Sequence, residues 1–165
     1  MGILGAIITT GFGMRRSKYE RQKFVTQLNS ITRIAWQQTV MTGKTHRVVF
    51  DIKKRRVRVE RSTGKIVRGE PEYLPVSGSY VAGEMAVPSA FTIKQLIVDG
   101  ADEMARAIGG GQQITEVWFY IVPGGLAQTV IINLLDATNP AHKRQMGLVL
   151  NPFNANFAMY DSFQK

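Results

Sequence analysis

The opening 42 residues constrain the chain most. They contain no proline, so nothing in them forces a break in a helix. The first stretch, "MGILGAIITTGFGM", is apolar and stops abruptly at Arg15, Arg16 and Lys18. No basic residue precedes it, so it does not read as a secretory signal peptide. It is also shorter than the roughly 20 apolar residues that cross a bilayer as a helix. Beyond it, Phe24, Leu28, Ile31 and Ala35 recur at the spacing of one helical face. Ile34, Trp36 and Val40 widen that face, while Arg21, Gln22, Gln27, Arg33 and Gln37 are expected to face water. Gly43 and Lys44 are end signals just after Thr42. The expectation is one long helix, apolar in front and amphipathic behind.

From "THRVVFDIKKRRVRVER" the period falls to two, which predicts a hairpin turning near Lys53 and Lys54. "STGK" reads as a second turn, with Gly64 free to take positive φ. Residues 69–90 hold Pro71, Pro75 and Pro88 and read as mostly irregular. "FTIKQLIV" predicts a strand, and "ADEMARAIGGGQQ" a helical turn before a glycine loop. "ITEVWFYIV", "LAQTVIINLL" and "MGLVLNPFNANFAMYDSF" predict further strands, the last folded into a hairpin at Pro152–Asn154. "PGG" at 123–125 is a turn signal. One helix followed by a run of strands implies an α+β fold: a long N-terminal helix packed on an antiparallel β-sheet or small β-sandwich.

Charge divides the chain unevenly. Residues 1–68 carry 16 Lys and Arg against Glu20, Asp51 and Glu60, whereas residues 69–165 carry five basic and nine acidic residues. Such lopsidedness suits a polyanion, an anionic membrane surface, or copies stacked plus to minus; equally, the basic residues can simply solvate a helix and a hairpin. The sharpest feature is "KKRRVRVER". Lys53, Lys54 and Arg55 crowd the turn, and Arg56 and Arg58 project from one strand face while Val57 and Val59 project from the other. This ridge could grip phosphates or the acidic part of a neighbouring subunit. Few aromatics lie within it, so base stacking is not expected.

Catalytic chemistry finds little support. The chain has no cysteine, which removes thiolates, disulfides and cysteine-ligated metals. His46 and His142 lack ligand-spaced partners. "IGGGQQ" lacks the Lys-Ser/Thr of a phosphate loop, and Asp99, Asp102 and Glu103 match no calcium loop. Trp36 and Trp118 read as packing residues. The expectation is a non-enzyme with no catalytic residue, metal, cofactor or small-molecule substrate.

"MGILGAIITTGF" resembles the second half of the N-terminal helix of type IV pilins and type II secretion pseudopilins. "RQKFVTQLNSITRIAWQQTVMTGKTHRVVFDIKKRRVRV", "VWFYIVPGGLAQTVIINL" and "LVLNPFNANFAMY" are similar to the helix-to-strand passage and later hairpins of the H-type minor pseudopilins. The resemblance spans nearly the whole chain. Asn154 and Ala155 stand where the family prefers glycine. The prepilin peptidase site and the helix Glu are not seen, so the sequence is expected to start within the family's helix. The resemblance implies a structural subunit of a type II secretion pseudopilus that helps export folded proteins. It implies a partial membrane anchor at 1–23, carrying Ile3, Leu4, Ile7, Ile8 and Phe12 into lipid or the filament core, and a globular domain at 24–165. Phe24, Leu28, Ile31 and Ala35 would pack helix on sheet. Partners would be other pseudopilin subunits and the bacterial inner membrane, with single-pass anchoring, N-terminal methylation and a periplasmic domain. The alternative is a minor type IV pilin binding DNA through the basic hairpin. Arg15, Arg16, Lys18, Arg21 and Lys23 stand against the first arrangement, because cations beside an apolar span favour the cytoplasmic side.

Overall fold

The computed structural model describes residues 4–77, 83–109 and 113–165. Helix α1 runs from Leu4 to Thr42 and ends at Gly43, whose φ is +62°. Among the described residues eleven strands follow: β1 (His46–Asp51), β2 (Arg56–Val67), β3 (Glu70–Pro75), β4 (Glu84–Ala86), β5 (Phe91–Val98), β6 (Ala101–Asp102), β7 (Glu116–Val122), β8 (Leu126–Ala127), β9 (Val130–Asp136), β10 (Arg144–Asn151) and β11 (Asn156–Tyr160). A short helix, α2 (Glu103–Gly109), lies between β6 and β7. All pairings are antiparallel. The first sheet is ordered β3-β2-β1-β7-β8, with β4 also on β2, and the second β11-β10-β9-β5-β6.

The expected fold class is corrected here. The α+β balance of a helix on one antiparallel sheet or a small sandwich gives way to a chain dominated by antiparallel β-structure, in two sheets of six and five strands, with one long helix among the described residues. The excess of strand has local causes. "STGK" does not turn the chain: β2 continues through it, and the register shift between Ser62 and Ile66 absorbs Gly64. The turn comes at Arg68 and Gly69, both with positive φ, as a two-residue hairpin loop requires. The proline-containing stretch 69–90 supplies β3 and β4. "LAQTVIINLL" is two strands, β8 in the first sheet and β9 in the second. The Asp99 carboxylate accepts bonds from the Gln128 side chain and from the Thr129 amide and hydroxyl, which pins this crossing.

One apolar core joins the parts. Val48, Phe50, Val57, Val59, Phe119 and Ile121 of the first sheet are buried with Phe91, Leu96, Ile132, Leu134, Met146 and Leu148 of the second. The α1 stripe of Phe24, Leu28, Ile31 and Ala35 closes it, at most 4% exposed. Burying each large apolar side chain contributes about 1.5–3 kcal/mol. The Phe24 and Phe91 rings stack at 4.9 Å. Two expected positions on the helix are reversed. Arg21 is buried, because Asp136 and Asp161 stand opposite it, and Val40 is exposed.

Candidate functional site

Two regions carry the residues singled out by sequence: the seam along α1 and the basic β1–β2 hairpin. The seam joins apolar burial to polar contacts with both sheets. Ser17 donates to Asp136 at 2.9 Å, and the Thr138 hydroxyl donates to Asp136 at 2.6 Å with the Ser17 hydroxyl 2.8 Å away. Arg21 Nη2 meets Asp161 at 2.8 Å, and its Nε lies 3.7 Å from Asp136. About two turns further on, Asn29 donates to the Phe157 carbonyl at 3.2 Å and accepts from its amide. Thr32 donates to the Ala155 carbonyl at 2.7 Å, and Trp36 Nε1 to the Gly125 carbonyl at 2.7 Å. Gly125 has φ +77°, and a Cβ there would come within 3.0 Å of Trp36 and Val40. Only glycine lets the "PGG" turn sit on the helix.

Side-chain contacts between α1 and the domain therefore begin by Ser17 and extend to Thr39. Ile3 lies outside the described residues. Leu4, Ile7, Ile8 and Phe12 sit on the opening turns of α1, and their side chains also lie outside what is described. Among the described residues no helix is long and apolar enough to cross a membrane.

The basic hairpin is a different object from the ridge its sequence suggests. Arg58 bonds Glu60 at 2.7 Å and Glu116 at 2.9 Å, and lies 3.7 Å from Asp51. Burial disfavours its charge, but the bonds to Glu60 and Glu116 outweigh this and raise its pKa. Arg56 pairs with Glu84 at 2.9 Å, and Lys54 lies 3.7 Å from Asp51. Arg55 is a clamp: its guanidinium donates to the Pro88 and Phe91 carbonyls, each at 2.7 Å, tying the hairpin turn to the start of β5. Lys53 is exposed. Glu84 and Glu116 come from strands distant in sequence, so no local motif announces them, whereas Glu60 lies two residues beyond Arg58 on the same face of β2. Arg47, between Tyr73 and Trp118 at 4.2 and 4.8 Å from the ring centroids, continues this paired surface. It also bonds Glu60. Trp118 is thus at the surface rather than in the core.

His46 begins β1 and is fully buried. Its Nδ1 faces the Lys44 carbonyl at 2.9 Å, which places the proton there, and Nε2 has no partner. Burial lowers its pKa; the Lys44 carbonyl opposes this and Arg61 adds to it. His142 is exposed. Asp102 accepts from the Met104 and Ala105 amides and so caps α2. Among the described residues no three His, Asp or Glu are grouped to hold a metal.

No family model and no curated protein matches this sequence. Solved structures do. A structure of the minor pseudopilin EpsH from the type 2 secretion system of Vibrio cholerae aligns with 88% of this chain and 96% of its own, at TM-score 0.52 and 10% identity. A crystal structure of the same pseudopilin aligns with 87% and 95%, at TM-score 0.51 and 11% identity. At that identity the likeness establishes architecture: this chain has the fold of a type II secretion minor pseudopilin.

Proposed function

We propose that the chain is a non-enzymatic structural subunit of a pseudopilus, the short filament of a type II secretion apparatus, and that it helps drive export of folded proteins. The observation that carries this reading is the continuity of α1. One helix of 39 residues leads from an apolar opening into the core of a domain that shares its fold with EpsH. In this reading residues 1–23 are the anchor segment and residues 24–165 the periplasmic domain. Apolar helix halves leave lipid and bundle with those of other pseudopilins, where close packing replaces lipid contact at little cost. The seam from Ser17 to Thr39 makes helix and domain move as one body.

DNA binding has no comparable support, because Arg56 and Arg58 already hold carboxylates. The test is co-purification. The full chain, co-expressed with a set of type II pseudopilins in detergent-solubilised membranes, is expected to elute in a stable complex with them. Elution of the chain alone, while the others still assemble, would overturn the proposal.

A further inference from the structure

Where α1 meets the second sheet, a cleft of about 710 Å³ opens, lined by Lys18, Arg21, Arg144, Gln145, Met159 and Asp161. Its base is Arg21, whose side chain is only 7% exposed and whose Nε has no hydrogen-bond partner. The nearby Asp136 carboxylate accepts from Ser17 and from the Thr138 amide and hydroxyl, leaving Nε at 3.7 Å. Lys18 and Arg144 on the walls and Arg21 Nη2 at the floor, which donates to Asp161 at 2.8 Å and to the Gln145 carbonyl at 3.5 Å, form a cationic cleft that matches an oxyanion. The cleft already holds one of its own: the Asp161 carboxylate sits on Arg21 Nη2 at 2.8 Å while remaining 87% exposed. Asp161 belongs to the chain's last segment, which Asn133 ties down by bonds to and from Gln164. A carboxylate so exposed can yield its place at small cost.

We infer that this cleft binds the phosphodiester headgroup of an anionic membrane lipid. Its height on the helix favours lipid over free phosphate. The apolar run ends at Met14, and Lys18 follows about 6 Å further along a helix axis, within the several ångströms of a headgroup layer. Met159 gives the cleft an apolar side suited to the first methylenes of an acyl chain. The inference rests on the membrane-anchored part of the proposed function and not on secretion. It also gives a role to cations whose position beside an apolar segment otherwise argues for the opposite orientation: they meet lipid phosphates on the side where the domain lies.

The test is full-chain binding to phosphatidylcholine vesicles with and without phosphatidylglycerol, at low salt. The preference for anionic vesicles should fall about twenty-five-fold in Lys18→Gln/Arg144→Gln, since each cation near an anionic surface is worth about a factor of five. It should hold in the control Lys53→Gln/Lys65→Gln, which removes equal charge elsewhere, and rise in Asp161→Asn, which vacates the Arg21 position. Equal losses in cleft and control variants, or no preference for phosphatidylglycerol in the native chain, would overturn the assignment. So would inorganic phosphate abolishing the preference at millimolar concentration without added ionic strength, which would make the cleft a free-phosphate site. Co-purification with pseudopilins is read separately, so failure here leaves the filament proposal standing.

Discussion

The β10–β11 and β2–β3 hairpins each end a sheet, yet they meet opposite fates. At β11 the helix supplies what a further strand would. Asn29 takes both backbone groups of Phe157, Thr32 takes the carbonyl of Ala155, and Ala155 itself is buried at φ +54°. At β3 no helix intervenes among the described residues, and the residues from Gly64 to Pro71 are all exposed, with Ile66 at 74%. The contrast shows how a sheet edge is silenced: by side chains of a packed neighbour that mimic the missing ladder. The same helix that closes the core closes the edge.

The largest expected effect tests that contrast by volume. Phe157→Ala should cost about 3–5 kcal/mol, as for other buried aromatic truncations. Ile66→Ala should stay within about 0.5 kcal/mol, as surface changes do. Urea denaturation of both variants decides it, and similar losses would erase the distinction between anchored and free hairpin. Next in size, Asn29→Ala leaves a half-buried amide and carbonyl without partners and should cost about 1–3 kcal/mol. A neutral result would mean the edge does not depend on the helix for its hydrogen bonds.

The smallest effect concerns the base of the free hairpin, where His46 pairs in register with Arg61. Burial holds the folded pKa of His46 below its ordinary value, whereas the unfolded chain takes the proton near pH 6.5. Stability from this group is therefore complete above about pH 6.5 and declines as the pH falls below it. Melting temperatures measured across this range should drop more steeply in the native chain than in His46→Gln; parallel curves would remove His46 from the account.

What the sequence makes legible follows from range. The stripe Phe24, Leu28, Ile31 and Ala35 is a local pattern, and those side chains are buried. Arg21 reads as solvent-facing because its partners, Asp136 and Asp161, lie more than a hundred residues away. Asn29 and Thr32 look like ordinary polar helix residues for the same reason. The cations of the basic hairpin look free until β4 and β7 bring Glu84 and Glu116 against them. The glycine at 64 signals a turn, but a bulge satisfies the same φ without ending the strand. The cleft around Arg21 joins residues from α1, β10 and the C-terminal segment, a juxtaposition no linear motif encodes.

The central claim is that the opening turns of α1 pack among the helices of other pseudopilins while its later turns are sealed against the domain. The chain has no native cysteine, so single substitutions report cleanly. In membranes holding pseudopilins with one cysteine in their apolar helices, Ile8→Cys should cross-link to those partners and Val25→Cys, buried at 5% exposure, should not. Absence of cross-links at Ile8, with the partners still cross-linking one another, would contradict the claim.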